Sequence, residues 1–149
     1  MNSAEITRIL RKRCRDQFVG VFAYDRLPKS LPPRRPLFMV CNTDPHHKPG
    51  RHWIVIYLGR DSLGEFFDSL NQPIVASRFV TYLEKHCKRW TRNNRQLQSV
   101  ASRFCGNFCL IYCLFKYLGY SMTQIQSLFS PIDTGYNDVL SHGLTCRLR

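Results

Sequence analysis

Three residues that could carry nucleophilic chemistry stand at predicted ends of secondary-structure elements. Cys105 opens the apolar run CGNFCLIYCLF, which has the composition of a buried helix. A thiol at a helix N-terminus feels the positive end of the helix dipole, which favours the thiolate. His52 precedes the strand-like run WIVIYL, and Asp68 ends the run EFFD. Two neighbouring strands could therefore deliver a base and a carboxylate to the same sheet edge.

The chemistry that this set predicts is attack of a thiolate on a carbonyl. Cys105 would be the nucleophile that forms a thioester with the substrate acyl group. The imidazolium of His52 would stabilise the thiolate, protonate the leaving amine and later activate water. Asp68 would accept the second imidazole N–H and fix the tautomer. Asp61 and Glu65 are nearby competitors for the role of Asp68.

Each candidate also has a simpler structural interpretation. Free cysteines are among the most buried residues, and we interpret Cys109 and Cys113, one and two turns deeper in the helix, as core residues. Cys105 differs because it begins the helix and is followed by Gly106, which we expect to leave space for an incoming backbone. Among the histidines only His52 has a matching context. The other four are His46 and His47 in a polar loop, His86 and His142.

No metal site is predicted. Cys105 and Cys113 are eight residues apart, about 12 Å along a helix axis. Zn–S bonds of about 2.3 Å cannot gather thiols over that distance.

The chain is strongly basic, with 22 Lys and Arg residues against 10 acidic ones and a net charge of +12. A solvated basic surface is the simpler interpretation of any one cluster, but the sum favours nucleic acid, because phosphate neutralisation needs only distributed Lys and Arg. Candidate DNA contacts are Arg11, Lys12, Arg13, Lys88, Arg89 and Arg92.

The 7 cysteines are an odd number without close pairing motifs, which is untypical of a secreted disulfide framework. Residues 1–17 are basic and amphipathic, and no spanning segment is present. These features predict an intracellular protein in a reducing compartment, without membrane association. We expect a monomer.

The element pattern predicts one α+β domain over residues 1–149. Ser3 would cap a first helix, and strands are expected at 18–23, 37–42, 53–58, 64–68 and 95–100. Pro73 would open a helix with Val75 on its apolar face, and a longer helix would cover 105–118. Ser121 and Gln124 form a capping-box pattern for a last helix.

In chain order the set reads His52, Asp68, Gln98 and Cys105, and this order resembles the adenovirus-type cysteine endopeptidases, relatives of the ubiquitin-like-protein proteases. The likeness includes residues 18–28 and 40–43 and runs from about Phe18 to Leu118. It implies a permuted papain-like cysteine protease fold, with a central, mostly antiparallel mixed sheet flanked by helices. Family members are longer, mostly beyond the equivalent of Leu118, so residues 130–149 are expected to lack some family elements.

The resemblance also assigns roles to two further residues. Gln98 stands seven residues before Cys105, the family's spacing for an oxyanion-hole glutamine, and Gln96 is the competitor. Such a donor is worth roughly 3 kcal/mol in the transition state. Cys87 stands eighteen residues before Cys105, where adenovirus proteases have a cysteine that forms a disulfide with an activating viral peptide. Its basic surroundings predict a lowered thiol pKa. Asp68 departs from the Glu common in adenovirus proteases.

The function implied by the resemblance is that of a viral or mobile-element endopeptidase. It would cut capsid or core precursor proteins after Gly during virion maturation, in the host nucleus and the virion, aided by non-specific double-stranded DNA. The chemistry itself would need no cofactor beyond a possible activating peptide and DNA. Two alternatives stay open: a protease for ubiquitin-like modifiers, which Asp68 favours, and a non-catalytic DNA-binding protein, which leaves the set of four residues unexplained.

Overall fold

A computed structural model describes residues 1–74 and 77–149 of the chain. The five strands are β1 (Phe18–Ala23), β2 (Leu37–Asn42), β3 (Trp53–Leu58), β4 (Leu63–Phe67) and β5 (Arg89–Arg92). The α-helices are α1 (Ser3–Cys14), α2 (Ser77–His86), α3 (Cys105–Tyr117), α4 (Met122–Gln126) and α5 (Thr134–Thr145). Short 3-10 turns cover Arg15–Gln17, Arg60–Ser62 and Cys146–Leu148.

The strands form one mixed sheet in the order β1-β2-β3-β4-β5. The two inner pairings, β2 with β3 and β3 with β4, are antiparallel, and the two outer pairings are parallel. Parallel neighbours need a crossover, which the proline-rich segment 24–36 supplies between β1 and β2, and α2 between β4 and β5. The predicted α+β architecture, a mixed sheet flanked by helices, is confirmed.

Both faces of the sheet are buried, and alternate side chains of β3 pack into the two clusters that cover them. Val55 belongs to the cluster formed with α1 and α3, whereas Ile54 and Ile56 belong to the cluster formed with α2. Successive side chains of a strand point to opposite faces. A central strand covered on both sides therefore reads as a continuous apolar run.

Helix α3 lies in the centre of the molecule, and every residue from Cys105 to Cys113 is buried. Gly119, with φ +94°, ends this helix in the left-handed region that favours glycine. The capping box of Ser121 and Gln124 is present at α4 as predicted. The cap of α1 is instead Asn2, whose side chain pairs reciprocally with Glu5; the prediction of Ser3 was one residue late.

Two predicted element positions were wrong. Pro73 was predicted to open a helix but is not helical, and the described part of α2 covers Ser77–His86. Val75 lies outside the described residues. Residues 95–100 form no strand, because the backbone N–H groups of Leu97 and Gln98 both donate to the carbonyl of Ser69. The fifth strand is β5, in the basic segment before them.

Helix α5 was not predicted because its burial is inverted. The residues it buries are polar: Asn137, Asp138, Ser141 and Thr145. Apolar side chains such as Val139 are exposed. Periodicity of apolar residues, the usual helix signal, therefore fails here.

Among the described residues, no helix is both long and apolar enough to cross a membrane.

Candidate active site

Cys105 is the first residue of α3 and is 8% exposed. The first N–H groups of a helix have no partner four residues back; here the Gly106 N–H is directed at the sulfur, while the Asn107 N–H bonds to the Phe104 carbonyl. Gly106 has a different role from the one predicted. A Cβ at this position would meet Met1 and Ile6 at 3.2–3.5 Å, so Gly106 allows α3 to pack closely on the start of α1.

His52 and Asp68 are brought together at one end of the sheet. His52 directly precedes β3 and Asp68 directly follows β4, and these strands are antiparallel neighbours. The ring Nε2 of His52 lies 2.6 Å from Oδ1 of Asp68. Both side chains are largely buried, with 13% and 6% exposure. The juxtaposition predicted from the strand ends is thus present.

Asp68 is held rigidly by its surroundings. Its carboxylate accepts backbone N–H bonds from Leu70 (2.9 Å, at Oδ1) and Gln72 (3.0 Å, at Oδ2). Its main chain is clamped by Asn93, which accepts the Asp68 N–H at 2.9 Å and donates to the Asp68 carbonyl at 2.6 Å. Asn93 is completely buried and was missed in the sequence, where it is one polar residue in a basic run.

The electrostatics of His52 and Cys105 are those of an ion pair. Burial works to lower the pKa of His52, but hydrogen bonds and charge interactions with Asp68 and Cys105 outweigh it and raise that pKa to about 9. Burial works to raise the pKa of Cys105, but hydrogen bonds from His52 and from the backbone of Trp53 outweigh it and lower that pKa. Because Asp68 holds Nε2, the ring nitrogen that meets the sulfur is Nδ1. The arrangement stabilises thiolate and imidazolium together.

Gln98 connects the Asp68 segment with the segment leading to Cys105. It is 1% exposed. Its Oε1 accepts the Ser69 hydroxyl at 2.6 Å, and its Nε2 donates to the Ser102 carbonyl at 3.0 Å. An amide nitrogen has two N–H donors, so one N–H of Gln98 forms no hydrogen bond within the described part of the chain. The competitor Gln96 is exposed and donates to the Gln98 carbonyl.

The other competitors lie away from the sulfur. Asp61 is exposed in a turn with φ 59°. Glu65 forms an ion pair with Lys116 at 2.6 Å near the opposite end of α3. His86 packs against Tyr82, with the ring centroids 4.4 Å apart and the ring planes tilted by 48°.

A second Asp–His pair lies on the loop before His52. His46 Nδ1 is 2.6 Å from Asp25, and the ligand atoms of Asp25, His46 and His47 lie within 4.8 Å of one another. The sequence did not signal this group, because Asp25 is twenty-one residues upstream of His46. The Nε2 of His46 is already contacted by the guanidinium of Arg26 at 3.1 Å.

Cys87 follows α2 and is half-buried. A Cβ placed on Gly64 would lie 2.6 Å from its sulfur, so the thiol packs against the backbone of β4. Burial raises the pKa of Cys87 and outweighs the opposing charge of Arg35. The prediction that basic surroundings lower this pKa was wrong, because the neighbouring Lys and Arg side chains extend into solvent while the sulfur points inward.

The candidate DNA contacts fall on separate elements. Arg11, Lys12 and Arg13 are exposed in the last turn of α1, and Lys88 and Arg89 are exposed at the start of β5. Arg92 is only half-exposed. It donates to the Gln72 carbonyl at 2.8 Å and lies 4.0 Å from Asp68, so it contacts the surroundings of the candidate site.

A cleft of about 590 Å³ opens beside His52 and Asp68 on the α2 face of the sheet. Its apolar floor is formed by Ile54, Phe66 and Phe79. A cleft beside the His52–Asp68 pair can hold part of an extended chain.

Comparisons with known proteins bear on this site. No family model matches the chain. The protease of Bovine adenovirus 4 is 29% identical over 119 residues, covering 68% of this chain and 58% of the relative. The chain thus spans less than two thirds of that protein's length.

Two solved structures show the fold. The crystal structure of an ASFV protease has a TM-score of 0.53 at 22% identity, covering 71% of this chain and 43% of that one. The central domain of an uncharacterized protein from Legionella pneumophila has a TM-score of 0.53 at 14% identity, covering 99% and 97%. The chain therefore shares the fold of the ASFV protease and resembles an adenovirus protease in sequence, which confirms the resemblance to adenovirus-type proteases expected from the sequence.

Proposed function

We propose that the protein is a cysteine endopeptidase. The observation that carries the proposal is the contact of His52 with Asp68 at 2.6 Å on one ring nitrogen and with Cys105 on the other. In acylation the Cys105 sulfur attacks the peptide carbonyl carbon, and the carbonyl oxygen becomes an oxyanion. The free side-chain N–H of Gln98 and the backbone N–H of Cys105 donate hydrogen bonds to this oxyanion and stabilise its negative charge. His52 gives its Nδ1 proton to the leaving amine as the C–N bond breaks.

Deacylation reverses the proton movement. Neutral His52 takes a proton from water through Nδ1, and the resulting hydroxide attacks the thioester carbon. The tetrahedral intermediate collapses to release the carboxylic acid product and the Cys105 thiolate, with His52 again protonated, and the product then loses its proton to solvent. Asp68 accepts the Nε2–H bond throughout and keeps Nδ1 directed at the sulfur.

The substrates that fit the resemblance are viral capsid or core precursors, cleaved after Gly during virion maturation in the host nucleus and the virion. Support comes from the similarity to an adenovirus protease. The finer points, Gly at the cleavage site and action during maturation, come from the resemblance.

The decisive experiment is labelling with a peptide vinyl sulfone that ends in glycine. We expect one adduct, on Cys105, and none in Cys105→Ala. Cys146 is an internal control because it is an exposed thiol distant in sequence from the site. Equal labelling of Cys146 and Cys105, or labelling that survives in His52→Ala, would rule out a polarised thiol. Absence of both labelling and peptide cleavage would favour the non-catalytic DNA-binding alternative.

A protease for ubiquitin-like modifiers is the second candidate, and Asp68 in place of the family's Glu favours it. Both candidates share the chemistry above. They differ in substrate: cleavage of a folded modifier with a Gly-Gly terminus, at a rate above that of unstructured capsid-like peptides, would select the second.

We further propose that double-stranded DNA assists the enzyme without sequence preference. The support is the net charge of +12 and the exposed clusters on α1 and β5. The log of the binding constant should fall linearly with the log of salt concentration, by about 0.9 for each phosphate contacted. Replacing Arg11, Lys12 and Arg13 by Gln should reduce that slope. A slope near zero, or strong discrimination between unrelated duplexes, would exclude a scaffold role.

An activating peptide joined to Cys87 by a disulfide is the last element of the proposal. Its support is the spacing of eighteen residues before Cys105. Because the thiol is half-buried with a raised pKa, docking of the peptide must expose it before exchange. Cys87→Ser should keep basal activity and lose stimulation by a cysteine-containing peptide; unchanged stimulation would remove Cys87 from the proposal.

A further inference from the structure

The polar residues buried by α5 converge on the segment that carries Gln98. The Nδ2 of Asn137 donates to the carbonyl of Leu97 at 3.1 Å, and Oδ1 of Asp138 accepts the N–H of Ser99 at 3.3 Å. Consecutive residues of one helix thus bind the residues on both sides of Gln98. Asn137 is completely buried and Asp138 is 6% exposed.

The same helix also contacts the nucleophile helix. Thr145 accepts a hydrogen bond of 2.6 Å from Nδ2 of Asn107, two residues after Cys105. Both side chains are 1% exposed. Buried polar side chains cost free energy unless they are paired. A helix that buries Asn, Asp and Thr while exposing Val139 at 71% therefore gains little from packing alone.

We propose that α5 is a positioning element, in which Asn137 and Asp138 fix the backbone on both sides of Gln98 so that its free N–H points at the oxyanion. This inference rests on the proposed protease function. An oxyanion-hole donor contributes only if it stands about 2.7–3.1 Å from where the oxyanion forms. The side chain of Gln98 is fixed by Ser69 and Ser102, and its backbone N–H by the Ser69 carbonyl. The Leu97 carbonyl and the Ser99 N–H, on either side of it, are held by α5. Asn137 and Asp138 touch no substrate atom and act through Gln98.

The test separates reaction with an oxyanion from reaction without one. Peptide hydrolysis passes through an oxyanion, whereas alkylation of Cys105 by iodoacetamide is a displacement of iodide at carbon that needs only the thiolate. Asp138→Ala should lower kcat about 10-fold or more, below the ~10²–10³ that loss of an oxyanion donor costs. KM and the alkylation rate should stay within about two-fold of wild type. Asp138→Asn should recover kcat, because its amide oxygen can accept the Ser99 N–H bond.

Ser141→Ala is the matched control. Ser141 is completely buried on the same helix, but among the described residues its hydroxyl bonds only within α5, to the Asp138 carbonyl at 2.9 Å. It should lower stability without lowering kcat. A second control is coupling: in a Gln98→Ala background, Asp138→Ala should have no further effect on kcat. An undiminished effect in that background, or equal losses of kcat and alkylation rate, would overturn the proposal.

Amide hydrogen exchange decides the inference independently of turnover. Exchange at residues 97–102 should accelerate in Asp138→Ala and in Asn137→Ala but not in Ser141→Ala. If the wild type cleaves no peptide, the proposed function fails, but this measurement still tests whether Asn137 and Asp138 fix the backbone around Gln98. If exchange at 97–102 is the same in all variants, that positioning role is refuted even where the enzyme is active. If Asn137→Ala does not fold, the Asp138 variants alone decide.

Discussion

Replacing Asp68 by Asn should move the alkaline limit of activity to lower pH. Asp68 accepts three hydrogen bonds, from His52 Nε2 and from the N–H groups of Leu70 and Gln72. An asparagine has one acceptor oxygen and an NH₂ group, so the NH₂ group would face either the Gln72 N–H or both His52 Nε2 and the Leu70 N–H. If the NH₂ group meets His52, the ring carries its proton on Nδ1 and is no longer a stable imidazolium.

The magnitude follows from the pKa of His52. Its rise from 6.5 to about 9 corresponds to about 3.4 kcal/mol, at 1.36 kcal/mol for each pKa unit. Because burial opposes this rise while Cys105 contributes to it, the net shift sets the order of magnitude for Asp68, and the loss in kcat/KM near neutral pH should be on the order of 300-fold. The loss should be smaller than that from Cys105→Ala, which removes the nucleophile.

The sign of the pH effect is fixed by the ion pair. Activity needs the Cys105 thiolate and the His52 imidazolium, so it falls at low pH as the thiolate is protonated and at high pH as His52 loses its proton near 9. In Asp68→Asn the pH at which kcat/KM falls on the alkaline side should move from about 9 toward 6.5. The same raised pKa stabilises the fold below pH 6.5, and this stabilisation is lost as the pH rises through about 9.

The assay is the pH profile of kcat/KM for a glycine-containing peptide, with the pH dependence of iodoacetamide alkylation beside it. Asp25→Asn is the matched control, because it makes the same substitution in the Asp25–His46 pair, which also lies at 2.6 Å. The control should leave the profile unchanged. If Asp68→Asn keeps an alkaline limb near 9, Asp68 does not hold the imidazolium, and the reasoning fails.

Three further predictions concern chemistry and stability. Cys105→Ala should abolish peptide cleavage while the free energy of unfolding changes by no more than about 1 kcal/mol; residual turnover of a few per cent would identify another nucleophile. Lys116→Met should destabilise the protein by about 3–5 kcal/mol in urea unfolding, because it leaves the Glu65 carboxylate buried without its cation. Combining it with Glu65→Gln should recover much of the loss, and an additive loss would contradict the pairing. Maleimide should label exposed Cys146 well before half-buried Cys87; the reverse order would mean that Cys87 is more accessible than its burial indicates.

Local sequence patterns determined four of the five strands and the central helix. Apolar runs such as WIVIYL predict a buried strand because both of its faces are covered, and the observed bounds of β3 agree with the prediction. The meeting of His52 with Asp68 also followed from sequence, since residues that flank neighbouring antiparallel strands at the same end must lie close together.

Only the tertiary structure decided the features that depend on long-range polar contacts. Helix α5 escaped prediction because its buried face carries Asn137 and Asp138, whose partners lie about forty residues away. Asn93 holds Asp68 across twenty-five residues and has no local signature. The reactivity of Cys87 was misjudged for the same reason: its neighbours in sequence are basic, but burial against β4 sets its pKa. Charge and apolar periodicity describe only the neighbours of a residue along the chain. Its desolvation and hydrogen bonding depend on the residues that the fold places around it.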